Sequence, residues 1–444
     1  MNKYLNRARL LMQQQRFELA EEQLRLALME GTDASTAHAL LALCLLERKD
    51  FDGATHEAQQ SIHEAPDEAL GFFALASIQQ RRRRFDEART TIGEAIRLEP
   101  WNSMHFHVLS GIEAETYRWT ESLAAAEQGL ACDPEDIGCN NLRAIALVNL
   151  GRKDEAGQSI EATLSRNPDD AVTHANQGWT LLHQRQPLEA MKHFREALRL
   201  EPNLEWARLG IIEAMKARFF VYRWLLTFFL WMSRFSPNVQ LGLMLGLVFG
   251  RSLLSSLLQM VPVLQPLATP LTVGYVLFVW MTWTASSLFN LVLRLDAFGR
   301  LVLNATERLE STLAGLCLLV CLLIGSTGFF VERGLMFLPW QAGLLYLGLM
   351  IPLIAAIRQP PVQRRLFGTY AVGVAAVVMV ATYHTLNLCF QLNAIANLSD
   401  LTAAMNAQLN LLGETAVTWT QYSVYGIVLS TWIGAGLSIA PIRR

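Results

Sequence analysis

The sequence predicts an all-α chain in two parts. A helical solenoid of six helix pairs with a closing helix comes first, and a polytopic α-helical membrane domain of about six spans follows. Three observations carry this expectation: the charge is unevenly divided, a 34-residue period runs through the first half, and apolar runs of membrane-crossing length fill the second. The 444 residues are 17% charged, below the quarter or so usual for soluble domains. Through Lys216 the chain holds 24 Lys and Arg against 33 Asp and Glu; beyond it there are 13 Arg, no Lys and 6 acidic residues. The net charge of −2 is thus a cancellation between an acidic half at −9 and a basic half at +7. An acidic half repels phosphates, which argues against a nucleic-acid partner. The six cysteines are scattered with no CxxC pair, and the N-terminal residues carry no signal-peptide core, so a reducing, cytoplasmic location is expected for the first half.

Laid out in rows of 34 from Met1, the first half gives six rows without an insertion. Pro66, Pro100, Pro134, Pro168 and Pro202 repeat at that spacing. Column 8 reads Ala8, Ala42, Ala76, Ser110, Ala144 and Gly178; column 20 reads Ala20, Ala54, Ala88, Ser122, Ala156 and Ala190; column 27 reads Ala27, Ser61, Ala95, Gly129, Thr163 and Ala197. Small residues at fixed points let two antiparallel helices approach closely. Column 17, where the second helix of a row should begin, holds Phe17, Phe51, Phe85 and Trp119, while Lys153 and Pro187 depart from the aromatic and Thr32 from the proline. A proline near the end of a row stops the second helix because it donates nothing to the helical ladder.

This pattern resembles the tetratricopeptide repeat family over residues 1–204, with 205–218 as a closing or capping helix. The resemblance implies a right-handed superhelix whose concave face binds a peptide or helix of a protein partner. Taking columns 2, 5, 9, 12 and 13 of each first helix as the lining, the candidate groove contains Arg9, Leu43, Phe73, Ser77, His107, Asn141, Ile145, Trp179 and His183. The family's chaperone-tail binders clamp a C-terminal carboxylate with Lys and Asn in these columns. Here the columns are mainly apolar, which suits an apolar helix or extended segment. Arg81-Arg82-Arg83-Arg84 reads as a solvated turn, with an acidic partner or anionic membrane as the functional alternative.

Residues 219–237, FFVYRWLLTFFLWMSRFSP, are apolar over too short a stretch to cross a bilayer and contain Arg223. They are expected to form an amphipathic helix in the membrane interface, ended by Pro237. The membrane domain, 238–444, has candidate spans at about 239–261, 271–293, 312–330, 335–357, 368–386 and 422–440. Alternate flanks of these runs carry eleven arginines, from Arg218 to Arg444, against Arg333 alone on the others. Positive charge gathers on the cytoplasmic side, so both termini are expected there, with the polar stretch 387–421 outside. The whole chain resembles bacterial multi-pass membrane proteins that carry tetratricopeptide repeats, which implies the inner membrane.

Chemistry is sparse. Gly325-Ser-Thr-Gly328 departs from the Gly-x-Ser-Gly of six-span intramembrane serine proteases, and no metal or cofactor motif is found. The polar candidates inside the apolar runs are Arg251, Asn290 and His384, and no carboxylate is expected among them. The expected function is a membrane-anchored scaffold. It would recruit a protein through the groove and contact lipids and other membrane proteins. The rival is a transporter, channel or membrane enzyme with regulatory repeats.

Overall fold

The computed structural model describes residues 3–31, 33–240, 242–243, 246, 265–331, 335, 337–359, 361–395 and 403–438. Every regular element among them is helical. The chain divides into two units, Met1–Ala214 with Thr227–Ser236 and Met215–Leu226 with Pro237–Arg444.

The first unit is built of helix pairs. They are α1 (Lys3–Gln13) with α2 (Phe17–Glu30), α3 (Ala34–Glu47) with α4 (Phe51–Glu64), α5 (Ala69–Arg81) with α6 (Phe85–Leu98), α7 (Ser103–Glu115) with α8 (Trp119–Cys132), α9 (Ile137–Asn149) with α10 (Lys153–Arg166), and α11 (Ala171–His183) with α12 (Pro187–Leu200). The second helix begins at column 17 in every row, including the two that lack the aromatic. Pro187 is tolerated because the first helical position needs no N–H donor. Thr32 lies outside the described residues. All eighteen residues of the three small columns are buried. Where Ser110 and Ser122 replace alanine, each hydroxyl donates to the other residue's carbonyl, at 2.8 and 3.0 Å, so the close contact leaves no polar atom unpaired. At Gly178 a Cβ would lie 2.6 Å from the Phe194 ring, so glycine is required there.

The turn inside each pair repeats as faithfully as the core. Column 15 is left-handed in all six rows: Gln15, Lys49, Arg83, Tyr117, Gly151 and Arg185 have φ of 58°, 65°, 62°, 63°, 89° and 65°. The next N–H in each row reaches back five residues to a carbonyl, as in Arg16 to Leu11 and Gln186 to Leu181, closing the first helix with a Schellman-type turn. Five of these positions bear side chains that oppose a left-handed backbone. The bonded turn overrides that preference.

In the second unit the described helices are α15 (Gln265–Leu293), the short α16 (Ala297–Val302), α17 (Ala305–Ser326) running into a 3₁₀ turn Thr327–Phe330, α18 (Phe337–Arg358), α19 (Pro361–Ile395) and α20 (Ala403–Ser438). Between α12 and α15 come α13 (Glu205–Lys216) and α14 (Phe220–Met232), both divided between the units. α17 packs on α18, α18 on α19 and α19 on α20. Glycines permit the closest approach: a Cβ on Gly343 would lie 2.7 Å from the Cys321 carbonyl oxygen. Two aromatic polar tips inside the apolar packing are satisfied, Trp280 Nε1 donating to Leu347 O at 2.9 Å and Tyr370 OH to Gly426 O at 2.6 Å.

Six spans were expected; among the described residues four helices are long and apolar enough to cross a membrane, Val273–Leu293, Ala305–Phe330, Phe337–Arg358 and Gln363–Ala394. The expected span 239–261 falls largely outside the described residues, as does Arg251. Residues 422–438 are helical within α20, which is not one of the four. Two boundaries also move. The stretch 387–421, expected as a loop, is helical up to Ile395 and again from Ala403. The second apolar helix starts at Ala305 rather than 312, because Asn304 and Glu307 form a reciprocal capping box with both bonds at 2.8 Å. That extension carries Glu310 into the helix.

Candidate functional site

The lining columns of the repeats do not form a uniform surface. Arg9 is exposed, and Leu43 is half-buried against the core of the first rows. Phe73 is half-buried with its ring 5.7 Å from that of His105, and Ser77 Oγ donates to Phe73 O at 2.8 Å. His107 lies against Gly138, and burial lowers its pKa while Asp136 opposes the shift. Asn141 is buried with no hydrogen-bond partner for Oδ1, and Ile145 is half-buried. Trp179 is turned into the array: it stacks on Trp206 at 4.6 Å, meets Phe194 edge-on at 5.7 Å and donates from Nε1 to Trp206 O at 3.3 Å. The carbonyl of His183 accepts from Lys153 Nζ at 2.6 Å. Burial, then the charges of Lys153 and Arg234, push the His183 imidazole down to about 3.

Arg234 marks the feature that sequence reading missed. The segment Thr227–Ser236, expected to lie wholly in the interfacial helix, belongs to the repeat unit. Trp119 Nε1 donates to Arg234 O at 2.7 Å across 115 residues of chain. The one signal in the sequence was that Trp, rather than Phe, stands in column 17 of row four, since a half-buried indole N–H needs an acceptor. The arginine run at the row-three turn is largely consumed locally. Arg81 faces Glu47 at 3.4 Å, Arg82 pairs with Asp52 at 2.9 Å, Arg83 lies over the Phe85 ring and Arg84 faces Glu87 at 3.4 Å. Exposed pairs of this kind contribute little stability, and they leave less charge for an outside partner.

The second unit holds the other candidates. Asn290 is 1% exposed and its Oδ1 has no partner. The His384 ring lies parallel to the Trp419 indole at 6.3 Å, with Nδ1 buried and unpartnered. Contrary to the expectation of no carboxylate in the apolar helices, Glu310 is 4% exposed and accepts from Arg358 at 2.9 and 3.1 Å and from Ser287 Oγ at 3.1 Å. Three helices, α15, α17 and α18, thus meet at a charged centre. Nearby in sequence to Ser287, Ser286 Oγ accepts from Lys216 Nζ at 3.1 Å; that lysine is 1% exposed.

Among the described residues no three His, Cys, Asp or Glu side chains gather as a metal cluster. Five of the six cysteines are buried and Cys132 is exposed. Burial pushes the Cys44 and Cys139 thiols up to about 12, which suppresses the thiolate that reacts. A maleimide applied to the native protein is therefore expected to label Cys132 alone, one label per chain by mass spectrometry. A second label without denaturant would show that a buried site opens.

A tetratricopeptide repeat family model matches residues 5–69 and 141–205. No curated protein matches the sequence. Among solved structures, a thermophilic repeat protein of Thermus thermophilus is 18% identical, covering 41% of this chain and 99% of its own, with a TM-score of 0.38. PilF of Pseudomonas aeruginosa is 18% identical over 46% of this chain and 93% of its own, with a TM-score of 0.39. A tetratricopeptide repeat protein of Parabacteroides merdae is 16% identical over 48% of this chain and 83% of its own, with a TM-score of 0.41. The 34-residue register and the family match agree over residues 5–69 and 141–205, and the N-terminal helix pairs are tetratricopeptide-like in fold.

Proposed function

We propose that the protein is a membrane-anchored scaffold whose cytoplasmic repeats bind an apolar peptide or helix of a protein partner and hold it at the bilayer. The observation that carries this reading is the union of a tetratricopeptide array with four membrane-length apolar helices in one chain. Leu316, Leu319, Leu323, Leu344, Val372 and Met379 are each more than half exposed on those helices, an apolar surface that water tolerates poorly and lipid covers. Leu43, Phe73 and Ile145 supply apolar ground on the first-helix face for a partner segment.

The test is affinity capture by the intact protein in mild detergent. The captured partner is expected to bind roughly tenfold more weakly to Leu43→Asp and Phe73→Ala, the ~1.4 kcal/mol of one lost apolar contact. Undiminished binding in both would refute the groove. For topology, a reporter fused after Arg444 should report from the cytoplasm, and one inserted at 396–402 from the opposite side. A reversed pair would overturn the orientation.

The Glu310–Arg358–Ser287 centre, with the buried Asn290 Oδ1 left without a partner, favours a second reading, a transporter, channel or enzyme regulated by the repeats. Solute flux in liposomes that Asn290→Leu abolishes, with folding retained, would put that reading in place of the scaffold.

A further inference from the structure

The segment that joins the repeat unit after α14 brings an arginine into basic surroundings. The Arg234 carbonyl is held by Trp119, and its guanidinium lies over the α9–α10 turn, where a Cβ on Gly151 would be 3.7 Å from Nη1. Its Nε is buried and has no hydrogen-bond partner among the described residues. Lys153, first in α10, directs one of its three ammonium donors to His183 O at 2.6 Å, and its own carbonyl accepts from Gln184 Nε2 at 3.1 Å. Arg185 is at the left-handed position of the next turn. Burial first, then Arg234 and Arg185, hold the Lys153 ammonium below its usual range, with Asp154 alone opposing. Burial holds the Arg234 guanidinium down, and no carboxylate acts on it. His183, kept neutral beside them, adds no charge of its own. Among the described residues these cations meet only Asp154 as a counter-charge, and a buried donor, Arg234 Nε, is left open.

We infer that Arg234 and Lys153, with Arg185 at the rim, form a binding site for a phosphate-type oxyanion. A guanidinium offers a planar fork of donors that matches two oxygens of one anion, and an ammonium meets a third as a point charge. A tetrahedral anion of charge −1 to −2 answers two or three cations better than a single carboxylate does. Arg234 stands three residues before Pro237, where the second unit resumes, so a phospholipid headgroup is one source of that chemistry and free phosphate the other. The headgroup source rests on the membrane-anchoring reading; the free-phosphate source does not.

The test uses the full chain in an uncharged detergent. At constant ionic strength, inorganic phosphate but not chloride should raise the melting temperature. Arg234→Gln and Lys153→Gln should each weaken this response about tenfold, and Arg234→Lys should keep part of it. Phosphate should also slow reductive methylation of Lys153 selectively in the unaltered protein, a readout that needs no variant. Titration with short-chain phosphatidylglycerol against the matching diacylglycerol separates the sources: tighter binding of the phospholipid than of phosphate assigns the headgroup, and equal or weaker binding assigns the free ion. A response that is the same in the Gln variants, no response to either anion, or protection by an acidic peptide alone would overturn the site. Loss of membrane association with phosphate binding intact would sink only the anchoring reading.

Discussion

Arg358→Ala is expected to destabilise the second unit by about 3 kcal/mol, because it strands a buried carboxylate rather than merely deleting a bond. Glu310 is 4% exposed and takes two donors from Arg358, which leaves Ser287 as its one remaining donor among the described residues when the arginine is gone. Arg358 itself is 46% exposed at the side chain, so its own desolvation is modest and the loss falls on the glutamate. Thermal unfolding of the intact protein in detergent, followed by hydrogen exchange in α15, α17 and α18, measures the effect. Removing both charges as Glu310→Met with Arg358→Met should recover most of the loss, since no buried ion then remains. An unchanged melting profile in Arg358→Ala would mean that water reaches Glu310 and that the centre is not sealed.

Phe194→Ala is the second large effect, about 3–5 kcal/mol lost from the C-terminal rows. Phe194 is fully buried, and its ring lies against two backbones that only glycine permits, Gly178 of α11 and Gly210 of α13, with the Trp179 indole edge-on. Removing the ring opens a cavity that rigid helix backbones collapse into poorly. The converse change, Gly210→Ala, drives a methyl into the ring and should cost about 1–3 kcal/mol. Because the two changes share one contact, their effects should not add: Gly210→Ala should cost markedly less in the Phe194→Ala background. Peptide-level hydrogen exchange over α11–α13 in the intact chain reads both, and strict additivity would count against this packing.

The repeat architecture was legible because a period of 34 fixes which positions must be small, and all eighteen of those residues are buried. The column-15 turn was not legible. Gln15, Lys49, Arg83, Tyr117, Gly151 and Arg185 share no side-chain chemistry, and backbone bonds rather than residue type set their conformation. A column position in the repeat predicts a face but not a rotamer, so the inward turn of Trp179 onto Trp206 is not encoded in it. Glu310 is hidden for a different reason. The apolar run alone puts the helix start at 312, whereas the capping box at Asn304 starts it seven residues earlier. The meeting of Arg234 with Trp119 joins residues 115 apart, a contact that no local pattern encodes.

The lengths of the last two helices carry one more consequence. α19 and α20 contain 35 and 36 residues, about 52 and 54 Å at 1.5 Å per residue, against a hydrocarbon core of about 30 Å. If Arg364 and Arg365 keep the start of α19 at the cytoplasmic surface, roughly 20 Å of helix emerges on the far side, in the stretch that carries Asn387, Gln391 and Asn393. α20 packs on α19, with Tyr370 OH donating to Gly426 O and the His384 ring parallel to the Trp419 indole, so the two long helices brace one another. On the membrane-anchoring proposal, that surplus would offer a ligand beyond the bilayer a rigid helical surface in place of a loop.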